Sequence, residues 1–138
     1  IEFAGIAIHN DVVRIVKLKK LDSEWSSSFV KEYVVERPEN THKVIQFLIT
    51  EAELEDVQCA IVIPSDKVQS TQIELSDIPV TIQPQDMVCD FISMDIQPSG
   101  QTPKAQVIAT NKSYLEYILK PFHESKIPVI GTTTEHFV

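Results

Sequence analysis

The sequence predicts an α+β fold, a mixed sheet of five to seven strands with two or so packing helices. Three observations carry this. Phe3 to Leu18, FAGIAIHNDVVRIVKL, reads as two strands joined by a tight turn. A third strand, an amphipathic helix and a nearly continuous apolar strand follow in that order. Beyond Met87 come a hairpin, a second amphipathic helix and a short last strand.

In the first strand, Phe3 to Ile8 is an apolar run, and His9-Asn10-Asp11 forms the turn. Asn and Asp tolerate the left-handed backbone that tight turns need. Val12 enters the second strand, where Val13, Ile15 and Lys17 lie on one face and Arg14, Val16 and Leu18 on the other. Leu21 to Ser28 is polar and serine-rich, and reads as a turn or loop around Trp25. Phe29 to Val35 alternates loosely as a third strand, with a start that can lie earlier, giving an antiparallel meander.

Asn40 or Thr41 is placed to cap a helix over Thr41 to Leu54, accepting from its orphan N–H groups. Val44, Ile45, Leu48, Ile49 and Ala52 recur at helical spacing, with Phe47 widening the stripe, as in a helix laid across a sheet. Val57 to Ile63 reads as a strand buried on both faces, reached by a right-handed crossover. Lys67 to Leu75 alternates as another strand. Pro79 and Pro84 argue against a long helix after it.

Met87 to Ile96 is read as a strand, Gln97 to Pro103 as a loop, and Ala105 to Thr110 as the returning strand of a hairpin. Asn111 caps a second helix striped by Leu115, Ile118, Leu119 and Phe122. Pro121 should kink that helix or end it early. Ile127 to Gly131 is a last short strand.

Length and composition bound the function. The 138 residues fit one domain, 1–138, with a real core. The formal net charge of -8 lacks the basic footprint that phosphate neutralisation demands, so nucleic acid is not an expected partner. Lys17, Lys19 and Lys20 read as a solvated strand end. Cys59 and Cys89 sit in apolar segments and form neither a metal motif nor a disulfide framework, which fits a reducing cytoplasm. No apolar run reaches membrane-span length and no signal peptide is visible. The chain opens Ile1-Glu2-Phe3 without a start methionine, which leaves room for a neighbouring membrane anchor.

No motif brings a nucleophile, a base and an oxyanion or metal site together. Three glycines, Gly5, Gly100 and Gly131, are too few for a glycine-lined phosphate cradle. His9, His42, His123 and His136 lack ligand spacing. Asp86, Asp90 and Asp95 could be imagined as an acidic cluster, but on a strand Asp90 and Asp95 point to opposite faces. The expected catalytic, cofactor-binding and metal residues are therefore none, and the chain is expected not to be an enzyme. What remains is a surface. Sheet edges recruit partner strands, and an acidic balance steers partners that offer Lys or Arg.

Gly5-Ile6-Ala7-Ile8-His9 resembles the first strand of the actin-like ATPase superfamily, which reads roughly Gly-Ile-Asp-Ile-Gly. Val13 to Lys20 is most similar to the pilus-assembly branch, the PilM/GspL-like proteins. Cys59 to Pro79, Asp90-Phe91 and Ala109 to Lys112 resemble later phrases of that branch. Two positions depart from the pattern: Ala7 stands where an acid would place a metal-bound water, and His9 where a glycine would let backbone approach phosphate.

The resemblance implies one half, domain I, of an actin-like fold that has lost its nucleotide chemistry. It implies a scaffold domain on the cytoplasmic side of the bacterial inner membrane, in a type IV pilus or type II secretion platform. Its partners would be the assembly ATPase and neighbouring platform proteins, with a homodimer allowed. The alternative is the nucleotide-binding half of a true actin-like ATPase. A third reading is a free-standing α+β adaptor unconnected with pili.

Overall fold

A computed structural model describes residues 1–74, 87–93 and 104–134. These residues group into two compact units, Ile1–Ser65 with Ile118–Val138, and Asp66–Tyr117.

The first unit is built on a five-stranded sheet. Its strands are β1 (Glu2–Ile8), β2 (Val12–Leu21), β3 (Glu24–Val34), β4 (Gln58–Ile63) and β8 (Val129–Thr134), in the spatial order β3-β2-β1-β4-β8. β1, β2 and β3 are an antiparallel meander, while β4 pairs parallel to β1 and β8 parallel to β4. The sheet is mixed, as the sequence predicted. Parallel neighbours need a crossover, and helix α1 (Thr41–Glu51) supplies one between β3 and β4.

One face of this sheet is the core. Ala4, Ile6 and Ile8 of β1, Val13 and Ile15 of β2, Tyr33 of β3, and Cys59, Ile61 and Ile63 of β4 are all buried. Ile45, Leu48 and Ile49 of α1 and Ile118 and Phe122 of helix α2 (Lys112–Glu124) are buried too. Each fully buried isoleucine contributes about 1.5–3 kcal/mol of apolar transfer. The period-2 reading of β2 holds, with Val13, Ile15 and Lys17 inward and Arg14, Val16 and Leu18 outward.

Several boundaries move. Leu21 to Ser28 is not a loop: Asp22 and Ser23 both have positive φ, 50° and 72°. That is the primed-turn backbone that matches strand twist. The serines therefore join the ladder, with Ser27 opposite Leu18 and Ser26 opposite Lys19. Helix α1 ends at Glu51, with Ala52 as its C-cap, short of Leu54. Neither Asn40 nor Thr41 caps with its side chain. A 3-10 turn, Pro38–Asn40, runs directly into the helix, and the Thr41 hydroxyl donates to the Pro38 carbonyl at 2.8 Å. β4 is buried fully on one face only: Cys59, Ile61 and Ile63 are buried, while Ala60 and Val62 on the other face are half-buried.

Pro121 does not end α2, which continues to Glu124. Only one donor is lost there, and the Ser125 N–H still bonds the Pro121 carbonyl at 3.2 Å. The Asn111 side chain caps this helix, accepting from the Tyr114 N–H at 3.1 Å. β8 starts later than expected and takes in the β-branched threonines up to Thr134.

The second unit is a three-stranded antiparallel sheet, β5 (Val68–Glu74), β7 (Lys104–Asn111) and β6 (Met87–Ser93), in the order β5-β7-β6. The strand and returning hairpin read from Met87 and Ala105 are present. The Thr110 hydroxyl donates to the Lys67 carbonyl at 2.8 Å, and the Lys67 ammonium lies 5.5 Å from the Tyr114 ring centre. The stretch containing Pro79 and Pro84, the loop from Gln97 to Pro103, Asp86, Asp95 and His136 lie outside the described residues.

Candidate interaction surface

The first hairpin closes with the His9 N–H donating to the Val12 carbonyl at 2.9 Å. His9 is half-buried and has a partner, so it is not simply a water-exposed turn residue. Ala7 pairs with Arg14 across the strands and with Val62 on the other side, on the face away from the core. A methyl group there offers no oxygen to a metal or to water. No three His, Cys, Asp or Glu side chains among the described residues gather as a metal site.

Lys17 is not part of a solvated strand end. Its side chain is only 11% exposed and lies 3.2 Å from the Glu2 carboxylate. Its inward place on β2 brings it to the end of α1, where it donates to backbone carbonyls. Cys59 is fully buried beside this group, and loss of hydration pushes its thiol up to about 11. Cys89 is half-buried, and both thiols are free. Asp90 lies in β6.

The open surface lies at the β3 edge. Across the outer face Val12 pairs with Val34 and Val16 with Val30, and Val16, Val30 and Val34 are exposed. Arg14 and Glu32 close an ion pair at 2.7 Å among them. Where β3 meets α1, a groove of about 530 Å³ is lined by Glu32, Tyr33, Val34, Asn40, Lys43, Val44 and Phe47. Its floor is stiffened from the core side. The Tyr33 hydroxyl donates to the Glu51 carboxylate at 2.9 Å, and the Lys31 ammonium reaches the same oxygen. These two donors hold the Glu51 carboxyl below its ordinary range, while burial first and the Glu51 contact second push Tyr33 up to about 12. The Tyr33 and Phe47 rings meet edge-to-face at 6.0 Å.

Lys43 and Phe47 were not singled out as surface by the sequence. The stripe on α1 splits, with Ile45, Leu48 and Ile49 turned to the sheet and Val44 and Phe47 to the groove. The signal was the width of the stripe, since Phe47 is more than one sheet-facing arc needs.

No family model and no curated protein matches the sequence. Solved structures do match. The cytoplasmic domain of EpsL, an inner membrane component of the type II secretion system of Vibrio cholerae, is similar with a TM-score of 0.70 at 9% identity. That match covers 97% of this chain and 56% of the other. A PilM-PilN type IV pilus biogenesis complex gives 0.72 at 13% identity, over 99% and 48%. A Bacteroides thetaiotaomicron protein with an actin-like ATPase fold and unknown function gives 0.53 at 10%, over 96% and 51%. The chain thus has the actin-like fold and spans about half the length of these proteins.

Proposed function

We propose that this chain is a non-catalytic scaffold domain of an inner-membrane platform, in a type IV pilus or type II secretion machine. It would act on the cytoplasmic side and bind the assembly ATPase and neighbouring platform proteins. The fold likeness to the EpsL domain and the PilM-PilN complex supports the type of machine. The observation that carries the non-catalytic part is the first hairpin. Ala7 and His9 stand at the two positions where the resemblance would place a metal-ordering acid and a phosphate-approaching glycine. A methyl and an imidazole cannot take those roles. Among the described residues no helix is long and apolar enough to cross a membrane, so any anchor would be separate from them.

The test is a pull-down from native membrane extract with this domain as bait, with and without Mg-ATP. Recovery of an assembly ATPase or a platform protein in both conditions is expected. Recovery of neither, together with a melting shift of the domain on Mg-ATP, would overturn the reading in favour of a nucleotide-binding half.

A further inference from the structure

We propose that the groove between β3 and α1 binds an extended segment of a partner protein, which adds as a sixth strand to the free edge of β3. The segment would be apolar at alternate residues and carry a carboxylate opposite Lys43. This names the partner chemistry of the scaffold reading and rests on it.

The backbone argument comes first. In an antiparallel ladder, residues bonded to the neighbouring strand alternate with residues that are not. The Val35 N–H bonds the Asp11 carbonyl at 2.9 Å, one step beyond the Val34–Val12 pair. Tyr33 and Lys31 therefore also face β2. Val30, Glu32 and Val34 turn their N–H and C=O groups to the open side, and among the described residues β3 has no strand beyond it. Such an edge is a template for strand addition unless charge or proline blocks it. Both charges on this segment are already used inside the unit, Glu32 by Arg14 and Lys31 by Glu51. They do not guard the edge.

The side-chain argument agrees. Val34 is 71% exposed and Phe47 58%, and with Val44 they line one groove. An added strand would set alternate side chains on Val44 and Phe47. Lys43 is exposed and forms no ion pair among the described residues, so it is the one lining charge open to a carboxylate. A second copy of this chain fits poorly. Antiparallel self-pairing centred on Glu32 would set like charges opposite each other, between two chains of net charge -8.

The test is selection from a phage-displayed library of random short linear peptides against the domain. Enriched peptides are resynthesised for fluorescence anisotropy and amide NMR. Enrichment of alternating apolar sequences with an acidic residue is expected, with shifts confined to Val30–Val34 and Asn40–Phe47. Lys43→Glu, on an exposed helix face, should weaken binding about tenfold or more. Val34→Pro removes an outward N–H that β2 does not use and should abolish binding. Should that variant misfold, N-methylation of alternate peptide amides tests the same bonds on the intact domain.

No enrichment, shifts mapping elsewhere, or unchanged binding by the N-methylated peptide overturns the groove. Concentration-dependent dimers lost in Val34→Pro would assign the edge to a second copy instead. Platform capture that survives Val34→Pro refutes the groove and leaves the scaffold reading. Peptide binding without platform capture does the reverse.

Discussion

The Lys17 ammonium donates to the Ala52 carbonyl at 2.8 Å and to the Glu53 carbonyl at 3.3 Å, so β2 caps the C-terminal end of α1. The contact satisfies carbonyls that a helix end leaves orphaned and places a cation at the negative end of the helix dipole. Ala52 is almost fully buried, so water cannot easily take over.

Lys17→Met keeps the apolar stem and removes the donor. The expected loss is about 1.5–3 kcal/mol, the usual worth of a hydrogen bond to a charged group. Urea denaturation should show a lower midpoint with an unchanged slope.

Burial of Tyr33, and second its contact with Glu51, make stability fall at high pH. The Tyr33 hydroxyl is held protonated to about 12 in the folded state, against an ordinary value of 10.0. Between these values the unfolded chain has lost the proton and the folded chain keeps it, so stability declines as pH rises through that window. Tyr33→Phe should flatten this limb and cost about 0.5–1.5 kcal/mol at neutral pH. Glu51 acts at the other end. Its carboxyl is lowered from 4.5, so its contribution is present above that value and fades as pH falls through the folded pKa. Denaturation midpoints measured across both limbs check both signs.

Ser23 has a φ of 72° in the two-residue turn between β2 and β3. Glycine occupies that region without the Cβ penalty, and Asp-Gly is a favoured pair for this turn. Ser23→Gly should therefore raise stability by about 0.5–1 kcal/mol, read as a higher thermal midpoint.

The two thiols should separate kinetically. Cys59 has no exposed surface and a thiol raised to about 11, whereas Cys89 is half-buried. A disulfide reagent on the native protein should modify Cys89 first and reach Cys59 only after denaturant is added. Equal rates would contradict the burial of Cys59.

Much of the fold was legible because side-chain period reports on burial directly. Val13, Ile15 and Lys17 share a face in the sequence and in the sheet, and Asn111 caps the helix it was expected to cap. Three features were not legible, for separate reasons. The serines of β3 have low strand propensity, and only the positive φ at Asp22 and Ser23 brings them into the ladder. Lys17 was read by its charge, but its position on the inward face decides its fate, because α1 offers carbonyls exactly one side chain away. The groove depends on which face of α1 is left over once Ile45, Leu48 and Ile49 are buried, and on β3 being an edge. Both are properties of the assembled sheet.

The order of the chain through the first unit bears on how it folds. β1 to β4 are contiguous up to Ser65, so the meander, α1 and the β1–β4 pairing can form as soon as that stretch is made. The parallel β4–β8 ladder and the buried Phe122 come only after the whole of Asp66–Tyr117. Closing that long loop costs entropy before its contacts return any, so β8 docking should be a late step. During synthesis the nascent chain would therefore pass through a stage with β4 as a bare apolar edge. That interval, more than the native state, is when the protein is exposed to aggregation.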